Sequence, residues 1–447
     1  MLKEAWTLAI EALSWIELQN LSERLALSKT ANQLNITDTS AKGLAHRLVY
    51  ETIRRKNYLD SLINHALKPH SMNDFELGVR AFLRLYVYRT RIERKGNVQK
   101  EAVEIARMGR SILGWETLQP IEDALGTLLS LQQDKVLEKL GDEEKVALRT
   151  YHPTWFVKYC FRLFGRNEAL EFLSSSQSFL PIYMRVNTLL TEEEKAVETL
   201  QREGVRVEKV LELSHVYRVV ETKHPLASTP SFKEGFFCVQ DKASCLAVEV
   251  AAAEPDMTVF DVCAAPGAKT MHLAMLMQNR GVIYSLDYSR RRMKVWRYSV
   301  NRRGVKNALP IIADARKPLP FNKTADLVIL DPPCTSTGVF ARAPSAKWRL
   351  TQQSIRKMAE VQWRMLRNCA EKVREGGWLV YSTCSVSVEE NEVQIERLLR
   401  LYPEFRLAET KPWIGLPGLR GLTRCQRLYP HIHECNGFFI ARLQRET

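Results

Sequence analysis

Five near-continuous apolar runs constrain the fold of this chain more than any other feature. The runs are MTVFDVCA (257–264), GVIYSLDYS (281–289), LPIIADA (309–315), ADLVILDPP (325–333) and GGWLVYSTC (376–384). Such runs are typical of parallel strands that are buried on both faces. Because helical patterns separate them, the sequence predicts a doubly wound α/β sheet. The run NGFFIARLQ (436–444) predicts one more strand, antiparallel at the sheet edge.

A chain of 447 residues is long enough for two or three domains. Residues 1–145 carry apolar side chains at helical spacing with almost no strand pattern, which predicts an all-helical domain. Residues 146–240 predict a small α+β, RRM-like module, and residues 241–447 form the predicted α/β domain. The strands predicted in the small module are 181–190, 215–221 and 235–241.

The chain is strongly basic, with 65 Lys and Arg against 51 Asp and Glu, a net charge of +14 and a pI near 9.3. This excess favours a polyanionic partner, and nucleic acid before a membrane, because no basic amphipathic anchor stands out. The segment SRRRMKVWRYSVNRRG (289–304) is a candidate RNA surface with Trp296 and Tyr298 between the basic residues. The alternative is a solvated helix whose aromatic side chains pack on the sheet.

Several patterns favour a cytoplasmic protein without metal. The start MLKEAWTLAIEALSW does not resemble a signal peptide, and no run reaches the roughly 20 apolar residues of a membrane span. Nine scattered cysteines do not resemble a disulfide framework. A zinc site is the alternative for Cys425, His431, His433 and Cys435, but their spacing matches no common structural zinc pattern.

The turn DVCAAPGAKT (261–270) leads from the first run into a helix and would let backbone approach a ligand closely. It lacks the three glycines of a dinucleotide fingerprint and the pattern of a P-loop. Asp287 follows Gly267 by 20 residues, a position from which a carboxylate reaches ribose hydroxyls, and Asp314 could meet an adenine edge. An adenosine cofactor without pyrophosphate therefore fits better than NAD. Each aspartate alone could be a turn former, but with Asp331 three successive runs end in this way.

Two cysteines, Cys334 and Cys384, follow the fourth and fifth runs, whose strands are expected to be neighbours. Both thiols would then face one pocket, although a single buried cysteine is usually structural. A thiolate that adds to carbon 6 of a pyrimidine makes carbon 5 nucleophilic enough to accept an activated methyl group. One cysteine would be the nucleophile and the other would help to resolve the adduct, and the residues alone do not order them. Asp331, if protonated, could stabilise charge on the ring beside nitrogen 3 and the exocyclic amine.

These segments resemble the RNA 5-methylcytosine methyltransferases of the RsmB/Sun type. The resemblance covers about 150–447, and it is carried by DVCAAPGAKTMHL, DLVILDPPCTSTGV, GGWLVYSTCSVSVEENE and RLYPHIHECNGFFIARL. The helical first part resembles the NusB-like RNA-binding domain of the same group through LVYETIRRKNYLDSLI, LRLYVYR and EAVEIAR.

The resemblance implies catalysis by Cys384 as nucleophile, by Cys334 as the residue that promotes product release, and by Asp331. It implies S-adenosylmethionine as cofactor. The residues implied to hold it are Cys263, Ala264, Ala265, Pro266, Gly267, Ala268, Lys269, Asp287, Arg292, Asp314 and Asp331. It also suggests that Arg185 and the small module meet RNA, and the position of His431 in the late PH segment weakens the zinc alternative.

The chain departs from the family pattern at three places. Ala268 stands where APGGKT is usual, CTSTG replaces CSGTG, and Ala341 replaces a basic residue. The substrate could be ribosomal RNA, which a NusB-like domain favours, or transfer RNA. Rival hypotheses are methylation of DNA or of uridine, and a non-catalytic RNA-binding assembly factor that keeps the fold. The oligomeric state stays open.

Overall fold

The computed structural model describes residues 1–94, 96–138 and 140–446, and the chain divides into two compact units. The first unit comprises Met1–Ser178 and Phe340–Leu350, and the second comprises Phe179–Val339 and Thr351–Thr447. We call Phe340–Leu350 the inserted segment, because both of its flanks belong to the second unit.

In the described residues, twelve α-helices come first along the chain, and a mixture of strands and helices follows them. The helices are α1 (Leu2–Gln19), α2 (Glu23–Gln33), α3 (Thr39–Arg54), α4 (Lys56–Ala66), α5 (Leu77–Val87), α6 (Val98–Leu113), α7 (Trp115–Leu118), α8 (Glu122–Ser130), α9 (Gln133–Leu137), α10 (Asp142–Thr150), α11 (Thr154–Phe164), α12 (Arg166–Ser175), α13 (Glu193–Arg202), α14 (Pro230–Glu234), α15 (Lys242–Ala251), α16 (Ala268–Leu276), α17 (Arg290–Arg302), α18 (Ala346–Arg349), α19 (Gln352–Ala370), α20 (Glu392–Leu401) and α21 (Pro430–His433). The strands are β1 (Ile182–Val186), β2 (Val205–Lys209), β3 (Val216–Thr222), β4 (Phe237–Val239), β5 (Thr258–Val262), β6 (Val282–Asp287), β7 (Ala308–Ile312), β8 (Ala325–Leu330), β9 (Val373–Thr383), β10 (Phe405–Ala408), β11 (Leu416–Pro417), β12 (Gln426–Leu428) and β13 (Phe438–Arg445).

The first unit is a helical bundle with its core around α1. This helix packs against α2, α3 and α5, and it buries Trp6, Leu8 and Leu13 on one side while Glu11 stays exposed. An apolar stripe of this width is what a helix must place against its neighbours to be stable. The prediction of an all-helical first part is confirmed.

The inserted segment is fastened to the helical bundle by buried polar groups. Lys347 is fully buried, and its ammonium nitrogen donates to the carbonyl oxygens of Arg54, at 3.1 Å, and Tyr151, at 2.7 Å. Burial lowers the pKa of Lys347 well below its ordinary value. The indole nitrogen of Trp348 donates to the carbonyl oxygen of Ile53 at 2.6 Å. The segment therefore belongs to the packing of the first unit, although it follows Cys334 closely in the chain.

The second unit begins with a four-stranded antiparallel sheet in the order β2-β3-β1-β4, covered by α13. The three predicted strands of this module are present. The sequence analysis missed β2, because VRVEK is a short polar stretch directly after an amphipathic helix.

The large sheet has the order β11-β12-β13-β9-β8-β5-β6-β7, and β10 also pairs with β13. The five predicted runs form β5 to β9, which pair in parallel, so the predicted doubly wound sheet is confirmed. Strand order reverses beside β5, where β6 lies on one side and β8 on the other. The prediction that 436–444 lies at the sheet edge is wrong: β13 is antiparallel, as expected, but it lies between β9 and the short strands β12 and β10. These partners have only three and four residues, too few for a periodicity to show.

Two glycines hold the loop after β8 against the start of β13. Gly437 donates its N–H to the carbonyl oxygen of Gly338 at 2.8 Å, and Gly338 donates to the carbonyl oxygen of Cys384 at 3.0 Å. A Cβ atom on Gly338 would lie 2.1 Å from the carbonyl oxygen of Gly437. Only glycine allows the two backbones to approach so closely.

We predict that Gly338→Ala destabilises the second unit by about 1–3 kcal/mol, because the methyl group forces the two backbones apart. Hydrogen–deuterium exchange should show faster exchange at Phe438 and Phe439. Gly126→Ala is the control, because a Cβ there meets no atom within 4 Å. Equal exchange of β13 in the two variants would contradict the prediction.

Candidate active site

The two cysteines lie side by side at the carboxyl ends of neighbouring parallel strands. β8 pairs with β9 so that Leu330 faces Tyr381. Cys384 follows β9 directly, and Cys334 follows β8 after a short loop that contains two prolines, which restrict its backbone. The two Sγ atoms are 3.1 Å apart. The predicted proximity of the thiols is therefore confirmed.

The two thiols are electrostatically unequal. The hydrogen bond from Cys334, together with Ser336 and the charge of Lys269, holds the pKa of Cys384 below its ordinary value in spite of burial. The same bond to Cys384, together with burial and the charge of Glu390, raises the pKa of Cys334 well above its ordinary value. The contact therefore favours one proton shared by the two sulfur atoms and held by Cys334, which makes Cys384 the more readily ionised thiol. A thiolate is the form in which cysteine acts as a nucleophile.

Ser336 occupies one of the two positions at which CTSTG departs from the common CSGTG, the one where glycine is usual. Its φ of 58° is in the left-handed region that favours glycine. Its Oγ lies 3.6 Å from Sγ of Cys384 and 3.8 Å from Sγ of Cys334. The departure therefore adds a hydroxyl beside both sulfur atoms at the cost of a less favourable backbone conformation.

Asp331 forms an ion pair with Lys269 between the cofactor loop and the cysteines. The Lys269 Nζ is 2.5 Å from Oδ2 of Asp331. Burial opposes the charge of the ammonium group, but the nearby carboxylate outweighs it and raises the pKa of Lys269. Lys269 thus fixes the position of the Asp331 carboxyl group, and the role of Asp331 on the ring stays a prediction.

The predicted cofactor loop runs from Cys263 to Lys269 between β5 and α16. Its first N–H groups, of Cys263 and Ala264, donate to the carbonyl oxygen of Leu286 in β6 at 2.8 and 3.0 Å. Gly267 begins the helix with φ 110°, and a Cβ atom there would lie 3.2 Å from the Trp296 ring. The loop is therefore held closely against β6 and α17, with its small residues on the side of the strand ends.

Among the residues at the carboxyl ends of the parallel strands, Asp287 best fits a ligand with hydroxyl groups. Its side chain is 1% exposed, and its Oδ1 accepts the N–H of Ser289 at 2.9 Å. Its Oδ2 is 3.0 Å from Nη1 of Arg292, yet no donor of the described residues forms a hydrogen bond with this oxygen. Arg292 also donates to the carbonyl oxygen of Ala265. A buried carboxylate oxygen without a donor suits a ribose hydroxyl, so the residues present fit S-adenosylmethionine.

Asp314 lies two residues beyond β7 and holds its neighbour Arg316. The guanidinium donates to both carboxylate oxygens at distances from 2.7 to 3.0 Å. This bidentate bond lowers the pKa of Asp314. Asp314 therefore lies just beyond the carboxyl end of β7, as predicted, but its carboxylate is already paired with Arg316.

A buried network behind the cofactor loop was missed by the sequence analysis. Asp261 in β5 accepts the hydroxyl of Thr270 at 2.5 Å, and the indole nitrogen of Trp296 donates to the same hydroxyl at 2.9 Å. Burial raises the pKa of Asp261 to about 6. The motif DVCAAPGAKT contains both polar residues, but nothing in their spacing indicates that they bond to each other.

One sequence-based expectation is wrong. Arg185 does not face RNA, because it is 1% exposed and donates to the side chain of Gln240 and the carbonyl oxygen of Ala268. It extends from β1 towards the cofactor loop instead. For the zinc alternative, which the sequence already disfavours, no three of the four side chains among the described residues bring their donor atoms within 4.8 Å of one another, and the absence of a metal stays a prediction.

The basic segment 289–304 contains α17, and its two aromatic residues differ in exposure. Trp296 is buried against the sheet, whereas Tyr298 is 65% exposed. Tyr298 lines an open groove of about 780 Å³ between α17 and β7. The basic residues along the groove are Arg290, Lys294, Arg297 and Arg302. A role of this surface in binding RNA stays a prediction.

Three family models match the chain. They are the 16S rRNA methyltransferase RsmB/F family at residues 248–444, the ferredoxin-like domain of RsmF/B-like methyltransferases at 152–221, and the NusB family at 3–110. The three matches follow one another along the chain in the order that the sequence analysis predicted, although the domain boundaries themselves stay a prediction.

Curated relatives match at moderate identity. The probable ribosomal RNA small subunit methyltransferase B of Bacillus subtilis is 30% identical, with 98% of each chain covered. The 25S rRNA (cytosine-C(5))-methyltransferase of Schizosaccharomyces pombe is 32% identical over 64% of this chain, which spans about half (49%) of that protein. The tRNA (cytosine(72)-C(5))-methyltransferase of Pyrococcus horikoshii is 37% identical over 49% of this chain and 55% of its own.

Solved structures show the same architecture. PH0851 superposes with a TM-score of 0.82 at 28% identity, and the superposition covers 100% of this chain and 99% of that chain. NSun6 from Pyrococcus horikoshii, solved with the S-adenosylmethionine analogue SFG, superposes with a TM-score of 0.62 at 26% identity over 66% of this chain and 98% of that chain.

The sheet order and the ligand edge define an S-adenosylmethionine-dependent methyltransferase. Within that class, the chain belongs to the RsmB/F family of RNA (cytosine-5-)-methyltransferases. The predicted family, fold class, activity and cofactor are therefore confirmed. Among the described residues, no helix is both long and apolar enough to cross a membrane.

We predict that iodoacetamide alkylates Cys384 with a pH midpoint below the ordinary thiol value of about 8.5, because its thiolate is stabilised. Cys334→Ala removes the hydrogen bond and should move the midpoint upward, and Ser336→Gly should move it upward by less. Peptide mass spectrometry after quenching measures each site. Cys263 is the internal control, since burial raises the pKa of its thiol well above the usual value. An unchanged Cys384 midpoint in Cys334→Ala would contradict the shared proton.

Proposed function

We propose that this enzyme methylates carbon 5 of a cytosine in ribosomal RNA, with Cys384 as the nucleophile and Cys334 as the residue that promotes product release. The observation that carries the proposal is the 3.1 Å contact between the two sulfur atoms, which lowers the pKa of Cys384. Resemblance to the family supports the same order of roles.

The first step makes the pyrimidine reactive. The Cys384 thiolate adds to carbon 6 and forms a carbon–sulfur bond, and the displaced ring electrons raise the nucleophilicity of carbon 5. S-adenosylmethionine, when bound, supplies a methyl group made electrophilic by its sulfonium sulfur. The Asp331 carboxylate, held by Lys269, can accept a hydrogen bond from the exocyclic amine and so orient the ring.

The second step restores the aromatic ring. The hydrogen on carbon 5 leaves as a proton, and its electron pair expels the sulfur of Cys384 from carbon 6. We assign this release to Cys334, because its sulfur lies beside the nucleophile. Once Cys384 is bonded to the ring, Cys334 loses its own proton to water, and its thiolate takes the proton from carbon 5. Cys384 then leaves as a thiolate and is ready for the next turnover.

The cofactor residues are proposed from their positions at the strand ends. The backbone of 263–269 would line the methionine and ribose portions of the cofactor. Asp287 would bind the ribose hydroxyls through Oδ2, which forms an ion pair with Arg292 but accepts no hydrogen bond from the described residues. Arg292 would hold both the loop and the Asp287 side chain in place. Asp314 is the weakest member, because Arg316 already occupies its carboxylate.

Ribosomal RNA is favoured as the substrate by two findings. The Bacillus relative, matched over 98% of both chains, is called a ribosomal RNA methyltransferase, and the first part matches the NusB family. The transfer RNA enzyme of Pyrococcus matches only 49% of this chain. A ribosomal RNA substrate would place the activity in the cytoplasm.

We predict that deletion of the gene removes 5-methylcytosine from one site of small-subunit ribosomal RNA. Bisulfite sequencing of total RNA from the deletion strain measures this loss, and complementation by the wild-type gene should restore the site. Loss at a transfer RNA position, with ribosomal RNA unchanged, would overturn the choice of substrate but not the chemistry.

We predict that Cys384→Ala lowers turnover more than about 10³-fold, the scale on which loss of a catalytic nucleophile acts. Cys334→Ala should instead accumulate a covalent protein–RNA adduct, because addition proceeds and release fails. Transfer of radiolabel from S-adenosylmethionine measures turnover, and a denaturing gel detects the adduct as a retarded band.

The double variant Cys334→Ala/Cys384→Ala is the control and should give no adduct. Absence of a retarded band with Cys334→Ala would contradict the division of labour. A wild-type protein that binds RNA but transfers no label would instead indicate a non-catalytic assembly factor.

A further inference from the structure

A buried carboxylate connects the two cysteine loops and takes no step of its own in the proposed reaction. Glu390 is fully buried, six residues after Cys384. No lysine or arginine of the described chain pairs with it, and five neutral donors surround it instead. The donors are the N–H and hydroxyl of Thr335, the hydroxyls of Ser385 (2.5 Å) and Ser387 (2.8 Å), and the amide of Gln362 (2.9 Å).

The donors come from three separate elements. Thr335 directly follows Cys334, and Ser385 directly follows Cys384, so the carboxylate binds the neighbour of each cysteine. Gln362 comes from α19 and also donates to the carbonyl oxygen of Pro333 at 2.9 Å. Glu390 is thus a bridge between two loops that are fifty residues apart in the chain.

The free-energy cost of burying Glu390 without an opposite charge indicates that the carboxylate has a specific role. A buried charge without an opposite charge is expensive, and it persists only where hydrogen bonds satisfy it fully. A set of five donors converging on one carboxylate is rigid, because movement of either loop would leave the charge unsatisfied. The direct contact between two sulfur atoms is weak by comparison and could not hold the loops at this distance.

A second link keeps the loops folded together without Glu390. The hydroxyl of Thr337 lies 2.8 Å from that of Ser385 and accepts the N–H of Val386 at 2.8 Å. Loss of the carboxylate should therefore disturb the position of the thiols without separating the loops.

We propose that Glu390 is a positioning residue that sets the separation of the two catalytic sulfur atoms by binding both loops at once. The proposal rests on the proposed roles of Cys384 and Cys334. It explains why a fully buried carboxylate lies beside two sulfur atoms that are 3.1 Å apart.

The test compares four variants of the full-length enzyme. Glu390→Gln keeps the shape but sets an amide against five donors, and Thr335→Val removes one hydroxyl donor that bridges the loops. Both should lower kcat, roughly 10²-fold for Glu390→Gln, with little change in KM for RNA or S-adenosylmethionine. Both should also move the alkylation midpoint of Cys384 upward, because the hydrogen bond from Cys334 is weakened.

The other two variants separate bridging from general stabilisation. Ser387→Ala removes a donor within the same loop as Glu390, so its alkylation midpoint should stay near that of the wild type. Glu396→Gln loses an ion pair with Arg420 and serves as the surface control. If Glu390→Gln and Thr335→Val fold but keep the wild-type midpoint and kcat, or if Ser387→Ala shifts the midpoint as much as Thr335→Val, the proposal is overturned.

Alkylation also separates this proposal from the proposed function. It reports on the thiols without turnover, so an upward shift of the midpoint in Thr335→Val, which keeps the charge of Glu390, would support the bridge even if Cys384→Ala proved active. If Glu390→Gln fails to fold, Thr335→Val carries the test, because it retains the buried carboxylate and four of its donors.

Discussion

The parallel pairing of β8 with β9 is the constraint on which the site depends. Adjacent parallel strands lie about 4.8 Å apart and end at the same edge of the sheet, so the residues that follow them are brought together without any long connection. Here the register sets Leu330 opposite Tyr381, and the following turns carry one thiol each. A slip of one residue would turn alternate side chains to the other face and separate the sulfur atoms.

The buried charged groups around the site have hydrogen-bond donors or opposite charges as partners. Lys269 and Asp331 pair with each other, and Arg427 binds Glu392 through two hydrogen bonds of 2.6 and 2.5 Å while both side chains are buried. Glu390 achieves the same with neutral donors alone. Desolvation makes each buried charged group unfavourable by itself. When all the groups are paired or hydrogen-bonded, however, the contacts are compatible with only one arrangement of the loops. The reactive sulfur atoms therefore lie in surroundings that change little on their own.

The sequence predicts most of the scaffold, because strands buried on both faces leave long apolar runs. Strands β5 to β9 are recognisable in this way, and helix α19 is recognisable from the helical spacing of its apolar residues. The short strands β10, β11 and β12 are not, since two to four residues cannot show a period, and the place of β13 was wrong for the same reason. Arg185 was misplaced because the family resemblance assigned it to RNA, whereas its burial depends on packing that no local pattern reveals.

The site was predictable where chemistry follows directly from strand ends, as for the two cysteines and Asp287. It was not predictable where function depends on contacts across the chain. Glu390 is part of the quoted VSVEENE stretch, yet only the three-dimensional structure brings Thr335 and Gln362 to it. The ion pair of Lys269 with Asp331 is of the same kind, as it joins residues separated by 62 positions.

The inserted segment makes the two units of the molecule discontinuous in sequence. Residues that close the packing of the helical bundle are encoded after the strand that carries the first thiol, so no single cut of the chain yields both units intact. A protein trimmed to its catalytic half would leave the amine of Lys347 and the indole of Trp348 without the carbonyl oxygens that receive them. Gene shortening or domain exchange in this lineage must therefore redesign an internal loop along with the terminus that it removes.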